Sequence, residues 1–383
     1  MPPIRFLLAV VGLIATLHLY LAIRLVPDLP VSGAVQFAAI VVLVLSTLLQ
    51  PLGLLSRSLP GEAWRDRFAW LGMGFMGFFS SLFVLSLLRD VMLVIAFVVD
   101  VSGLFELDFS ALEAMSAVTC LVLAAIVTAW GFINARRLAR VVDINVPIAN
   151  LPSGLNGFRI AQISDIHVGP TIKKAYLARI VQAVNRLQPD VVAITGDLVD
   201  GRVSDLRDHV APLATLQARH GSFFVTGNHE YYSGAHEWIA ELRRLGLRVL
   251  LNEHVQLEHD GAGIVLAGVT DYSAGAFDPA HRSDPKAAVA GAPSGVPRIL
   301  LAHQPRTANA AAGAGFQLQL SGHTHGGQFW PWNLFVPLQQ PFTAGLHRLQ
   351  DLWIYVSRGT GYWGPPKRFG APSEITCLRL VAA

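Results

Sequence analysis

Four apolar runs fill the first third of the chain, at residues 6–23, 34–50, 68–88 and 111–133. Each is close to the roughly 20 residues that an α-helix needs to cross a bilayer. The pattern predicts about four transmembrane helices over residues 1–143. The first reads as a signal anchor rather than a cleaved peptide, because no small-residue cleavage site follows it. After Arg89 and Asp90 the apolar text resumes at residues 91–99, which leaves open a helix extension, a re-entrant piece or a short fifth span.

From about residue 144 the pattern changes to short β-branched runs that each end in polar residues: "FRIAQISDIH", "DVVAITGDLVD", "SFFVTGNHE", "GIVLAGVTD", "RILLAHQP", "FQLQLSGHTH" and "LWIYVSRGT". These read as buried strands. Helical patterns at residues 173–187 and 235–245 lie between early strands, and strand–helix–strand order argues for a layered α/β fold over residues 144–383.

Composition fits this division. The chain of 383 residues is 52% hydrophobic and 14% charged, but all 4 lysines and 12 of its 13 histidines fall after residue 144. Arg57, Arg65 and Arg67 sit between the second and third spans, and Arg136, Arg137 and Arg140 follow the fourth. The loop before the fourth span is acidic (Asp100, Glu106, Asp108, Glu113). Basic residues are retained on the cytoplasmic side, so both termini and the α/β domain are expected there, in an inner or plasma membrane. Cys120 and Cys377 fall in different environments, and two cysteines suggest neither a disulfide framework nor a thiolate metal site. From residue 144 on, 20 Lys plus Arg face 17 Asp plus Glu. This balance is too mild to predict a nucleic-acid partner.

The polar residues at the strand ends carry the candidate chemistry. They are Asp165 and His167, Asp197 and Asp200, Asn228 with His229 and Glu230, His303, and His323 with His325. In open α/β sheets ligands gather where strands end. A donor set of Asp, His and Asn without Cys suits Mn, Fe, Zn or Co. Two such ions repel and need a shared anionic ligand, which a strand-end Asp can supply while leaving positions for a bridging water and a substrate oxygen.

In this order and at these separations, "DIH", "GDLVD", "GNHE", "AHQP" and "GHTHGGQ" resemble the calcineurin-like metallophosphoesterase superfamily, and the preceding spans are similar to its membrane-anchored branch. The likeness runs from about residue 156 to 380. It implies a layered β-sandwich flanked by helices, a four-layer α/β arrangement. It also implies two divalent metal ions as cofactors, one held by Asp165, His167, Asp197 and His325, the other by Asp197, Asn228, His303 and His323. His229 is then the expected general acid, or a group that steadies the phosphate. Glu230 and Asp200 are expected to support loops and ligands. The implied reaction is hydrolysis of a phosphate ester by an activated water, without a covalent intermediate.

Around these motifs, "GGQFWPWNLFVP" places Trp330, Trp332 and Phe335 close together. They form either a loop packed on its own domain or an apolar wall for an acyl chain or the bilayer interface. Arg368, in "YWGPPKRFGAPSEIT", is a candidate substrate contact, since a guanidinium can fork a phosphate, with a solvated surface Arg as the alternative. The anchor favours a phosphorylated, lipid-linked substrate. A tethered phosphodiesterase for soluble nucleotides is a second reading. A membrane sensor or transporter with a regulatory metal domain is a third, for which His18 and the Arg89–Asp90 pair are the candidate intramembrane ionisable groups.

Overall fold

The computed structural model describes residues 4–56, 59 and 61–383, so Arg57 lies outside the described residues. The chain divides into two compact units: Met1–Ile133 together with Gly364–Lys367, and Asn134–Trp363 together with Arg368–Ala383.

In the first unit each apolar run falls within a helix: α1 (Ile4–Arg24), α2 (Gly33–Leu55), α3 (Glu62–Val101) and α4 (Phe109–Arg136). Helices α2, α3 and α4 are long and apolar enough to cross a membrane, whereas the apolar stretch counted in α1, Leu8–Arg24, is shorter. The text at 91–99 is an extension of α3, which runs for 40 residues without a break. At about 1.5 Å per residue such a helix exceeds the ~30 Å hydrocarbon core. Helices α2 and α3 touch at glycines: a Cβ on Gly53 would meet Gly72 Cα at 2.8 Å, the close backbone approach that membrane helices use.

Four polar side chains in this unit, His18, Arg89, Asp90 and Lys367, find partners within it. His18 reaches the Ser46 hydroxyl at 2.9 Å and stacks on Phe79 with ring centres 3.9 Å apart. Arg89, 4% exposed, donates to the Arg24 carbonyl at 2.7 Å, to Ser116 at 2.8 Å and to the Asp28 carboxylate. Asp90 accepts from Tyr20 at 2.8 Å and from Arg24 at 3.0 Å. The Lys367 amine donates to the Gly77 carbonyl at 2.8 Å and to Ser81.

The second unit holds two six-stranded sheets. The first is ordered β1 (Arg140–Ile148), β12 (Glu374–Ala382), β2 (Arg159–Ile163), β3 (Val191–Ile194), β4 (Ser222–Phe224) and β5 (Arg248–Val249). The second is ordered β10 (Gly345–Leu349), β11 (Leu352–Val356), β9 (Leu318–Ser321), β8 (Arg298–Leu301), β7 (Ala262–Gly268) and β6 (Glu253–His259). Strands β2 to β5 run parallel, as do β7, β8, β9 and β11. β12 is antiparallel to β2, as β6 is to β7 and β10 to β11.

Side-chain alternation along the strands builds the layers. Ile160, Val191 and Ala193 point into a core shared with Ile299, Leu301, Leu318 and Leu320 of the other sheet. Ala161, Ile163, Val192 and Ile194 point the other way, onto α5 (Lys174–Arg186), α6 (Val203–Val210) and α8 (Ala235–Arg244). On the far side of the second sheet, Ala267, Leu300, Ile354 and Val356 pack with residues of α9 (Pro285–Ala288) and α10 (Ala308–Gly313). The outcome is the expected helix–sheet–sheet–helix sandwich.

Arg89→Ala would leave the Asp28 carboxylate without its buried partner, at a cost on the order of 3 kcal/mol. The variant should lose thermal stability in detergent relative to Arg89→Lys, as read by a melting curve of the purified full chain. Equal melting curves for wild type and Arg89→Ala would contradict the structural role.

Candidate metal centre

All the strand-end motifs converge in the second unit. Asp165 and His167 follow β2, Asp197 follows β3, and Asn228 and His229 open the short helix α7 (Asn228–Ser233) after β4. His303 follows β8, and His323 and His325 follow β9. The first sheet thus supplies the carboxylates, the amide and the His167 and His229 imidazoles, and the second sheet the other three imidazoles.

The donors form two neighbouring groups. Ligand atoms of Asp165, His167 and His325 lie within 4.8 Å of one another, as do those of Asp197, His303 and His323. In the first group His167 Nε2 is 3.1 Å from His325 Nε2, which is 3.5 Å from Asp165 Oδ1. In the second, His303 Nε2 is 3.2 Å from both Asp197 Oδ2 and His323 Nδ1. Asp197 joins the two, because the same Oδ2 lies 3.9 Å from His167 Nε2. Asn228 Oδ1 is buried without a hydrogen-bond partner, an orphan acceptor of the kind that a cation satisfies.

Hydrogen bonds fix the imidazole tautomers. His303 Nδ1–H donates to the Thr195 carbonyl at 2.8 Å, and His167 Nδ1–H to Asp200 Oδ1 at 3.2 Å. In the neutral rings both Nε2 atoms therefore present lone pairs to the centre. Asp200 Oδ1 also accepts from His229 Nδ1 at 2.5 Å, so one carboxylate orients a ligand ring and the ring next to Asn228.

Glu230 accepts backbone N–H groups from Asp197 at 3.0 Å, Leu198 at 2.8 Å and Gly227 at 2.6 Å, tying α7 to the end of β3. Gly227 is the side-chain-free residue this needs, since a Cβ there would lie 2.2 Å from Asp197 Oδ1. Five site residues adopt the left-handed region: Asp165, His167, Asp197, His323 and His325 have φ between 50° and 71°. That conformation is uncommon outside glycine, and in non-glycine residues it clusters at functional sites.

Burial and crowding of charge shift the titratable groups here in opposite directions. Burial raises the Asp165 carboxyl, and the Asp197 charge raises it further. Burial would also raise Asp197, but the His303 and His229 charges hold it well below the usual carboxylate range. Burial opposes charge on His303, yet Asp197 raises its pKa well above the imidazole norm. Burial, with His303 beside it, pushes His323 down to about 3. Burial, then His167 and Arg368, hold His325 well below its usual value. Both rings are neutral at pH 7, the form that can ligate a cation.

Arg368 corrects an expectation. It is neither a solvated surface group nor a free phosphate fork, being 1% exposed. Its guanidinium donates to the carbonyls of Arg358 at 2.7 Å, His325 at 3.0 Å and Gly361 at 2.5 Å, and contacts His325 Nδ1 at 3.1 Å. Those contacts consume the fork, so Arg368 positions His325 from behind.

The rim of the centre is aromatic. Tyr232 and Trp363 contact the His229 ring with centres 5.2 and 5.7 Å away, Phe277 contacts Tyr232, and all three are exposed. Trp330, Trp332 and Phe335 are likewise exposed rather than packed away. Sequence reasoning missed Tyr232 and Phe277 as rim residues; the "YY" directly after "GNHE" was the available signal.

The calcineurin-like phosphoesterase family model matches residues 158–327. A zebrafish (Danio rerio) transmembrane protein with metallophosphoesterase domain is 42% identical over 274 residues, covering 70% of this chain and 63% of that one. A cattle (Bos taurus) protein of the same description is 41% identical over 289 residues, covering 73% and 65%. The chain thus spans less than two thirds of the length of these two relatives. An uncharacterized metallophosphoesterase of Aquifex aeolicus is 32% identical over 243 residues, covering 63% of this chain and 91% of its own. With the motifs in order and their donors gathered in one pocket, the chain belongs to the calcineurin-like phosphoesterase family.

Proposed function

We propose that the chain is a membrane-anchored phosphohydrolase that cleaves a phosphate ester or pyrophosphate with two divalent cations. Asp165, His167, Asp197 and His325 would hold one ion, and Asp197, Asn228, His303 and His323 the other. The observation that carries the reading is the placement of the Asp197 carboxylate, with one oxygen 3.2 Å from His303 Nε2 and 3.9 Å from His167 Nε2, between the two donor groups. The unpartnered Asn228 Oδ1 supports it. When bound, the ions would supply Lewis acidity, making a coordinated water more acidic and offsetting negative charge on the phosphoryl oxygens.

The remaining roles fall to the chain. Asp200 holds the His229 ring through Nδ1, leaving Nε2 to protonate the leaving oxygen or to grip a phosphoryl oxygen. Purified Asp197→Ala should lose turnover of aryl phosphates and phosphodiesters together with bound metal. His229→Ala should lose about 10²–10⁴-fold in kcat for esters with poor leaving groups and much less for p-nitrophenyl esters. Unchanged turnover in Asp197→Ala would contradict the proposal.

The exposed aromatic rim beside His229 gives the leaving group an apolar flank, which favours a lipid-linked phosphate. The same rings could stack a nucleobase, which supports the second reading, a tethered nucleotide phosphodiesterase. Higher kcat/KM on micellar lipid phosphates than on cyclic or dinucleotides is the expected result; the reverse order would decide for nucleotides.

Arg65, Arg67 and Arg136 against the acidic loop of Asp100, Glu106 and Asp108 support a cytoplasmic catalytic unit. A C-terminal alkaline phosphatase fusion in a bacterial host should be silent and a fluorescent protein fusion bright; the opposite pair of signals would reverse the orientation.

A further inference from the structure

Outside the seven proposed ligands, a second set of metal-type donors converges beside α7. His236 is the second residue of α8, and Asp278 caps a short turn, Pro279–His281, that ends in His281. One ligand atom from each of His236, Asp278 and His281 lies within 4.8 Å of the other two. Asp278 uses Oδ1 to accept the Ala280 N–H at 2.9 Å, while Oδ2 is 3.0 Å from His236 Nε2. The two imidazole rings stand with centres 5.0 Å apart.

Capping accounts for one oxygen of Asp278, and a hydrogen bond for its contact with His236. Neither accounts for a second imidazole at the same spot. His281 Nδ1 is 2.8 Å from the Tyr231 oxygen, and that oxygen is also 3.4 Å from Thr226 Oγ1. The phenol can give its proton to Thr226 and accept the His281 Nδ1–H, which leaves a lone pair on Nε2. An outer hydrogen bond of this kind orients ligating histidines. The His236 side chain is 72% exposed, which gives an ion a way in.

We propose that His236, Asp278 and His281 bind a third divalent cation of the zinc, nickel or copper class, with water or an anionic oxygen completing its coordination. Two nitrogens and one oxygen suit borderline ions and disfavour Mg and Ca, which take oxygen ligands. The ion would clamp α8 to the turn before His281. Tyr231, on the helix that carries Asn228 and His229, touches both His281 and Phe277. The proposal does not depend on the reaction performed at the main centre.

The test is Zn²⁺ titration of chelator-stripped full-length protein in detergent, by calorimetry and elemental analysis, on wild type, His236→Ala and His281→Gln. Wild type should bind one equivalent more than either variant, and Cu²⁺ added to wild type should show nitrogen hyperfine splitting that His236→Ala loses. His236 is exposed, so its variant decides the matter even if His281→Gln fails to fold. Equal Zn²⁺ stoichiometry and affinity in wild type and His236→Ala would overturn the proposal. Failure of the dinuclear reading instead would lower the total in all three proteins and keep the difference of one.

Discussion

Burying Asp165, Asp197, Asp200 and Glu230 beside one another, each no more than 6% exposed, is the constraint to which the rest of the second unit answers. Carboxylates out of water repel and lose their hydration, so such a pocket persists only if hydrogen bonds and positive charge meet it. Backbone N–H groups meet Glu230, imidazole N–H groups meet Asp200, and the His323 N–H meets Asp165 at 2.9 Å. Asp197 receives the His229 N–H on one oxygen and directs the other at His303, His229 and His167. Cations between the two donor groups would complete that compensation.

The fold is what brings these groups together. Three donor-bearing segments leave the first sheet and two leave the second, so the centre exists only once the sheets have packed. Five residues in left-handed backbone, at a cost of about 1–3 kcal/mol each, turn their side chains inward from these strand ends. Gly227 admits Asp197 where any Cβ would collide. Stability of the sandwich core is thus spent on geometry at the site, which is the usual relation between scaffold and function.

Much of this was legible in the sequence because strand-end polar clusters report position directly: a β-branched run fixes the strand, and the next residues must emerge at its end. The helices were legible for the same reason, by length and hydropathy. The continuity of α3 was not, because an Arg–Asp pair reads as the end of a span unless Asp28 and the Arg24 carbonyl are known to face Arg89. Arg368 misled for a related reason: its partners are backbone carbonyls, which leave no mark in a sequence. His236, Asp278 and His281 were invisible as a group, since 42 residues separate the first two and no motif joins them.

The central claim is that Asp197 is shared by two cations. Anomalous scattering at the manganese edge from crystals of manganese-loaded protein tests it most directly. Two peaks flanking the Asp197 carboxylate, one beside His167 and His325 and the other beside Asn228 and His303, are the predicted result. A single peak, or peaks that do not touch Asp197, would contradict the account.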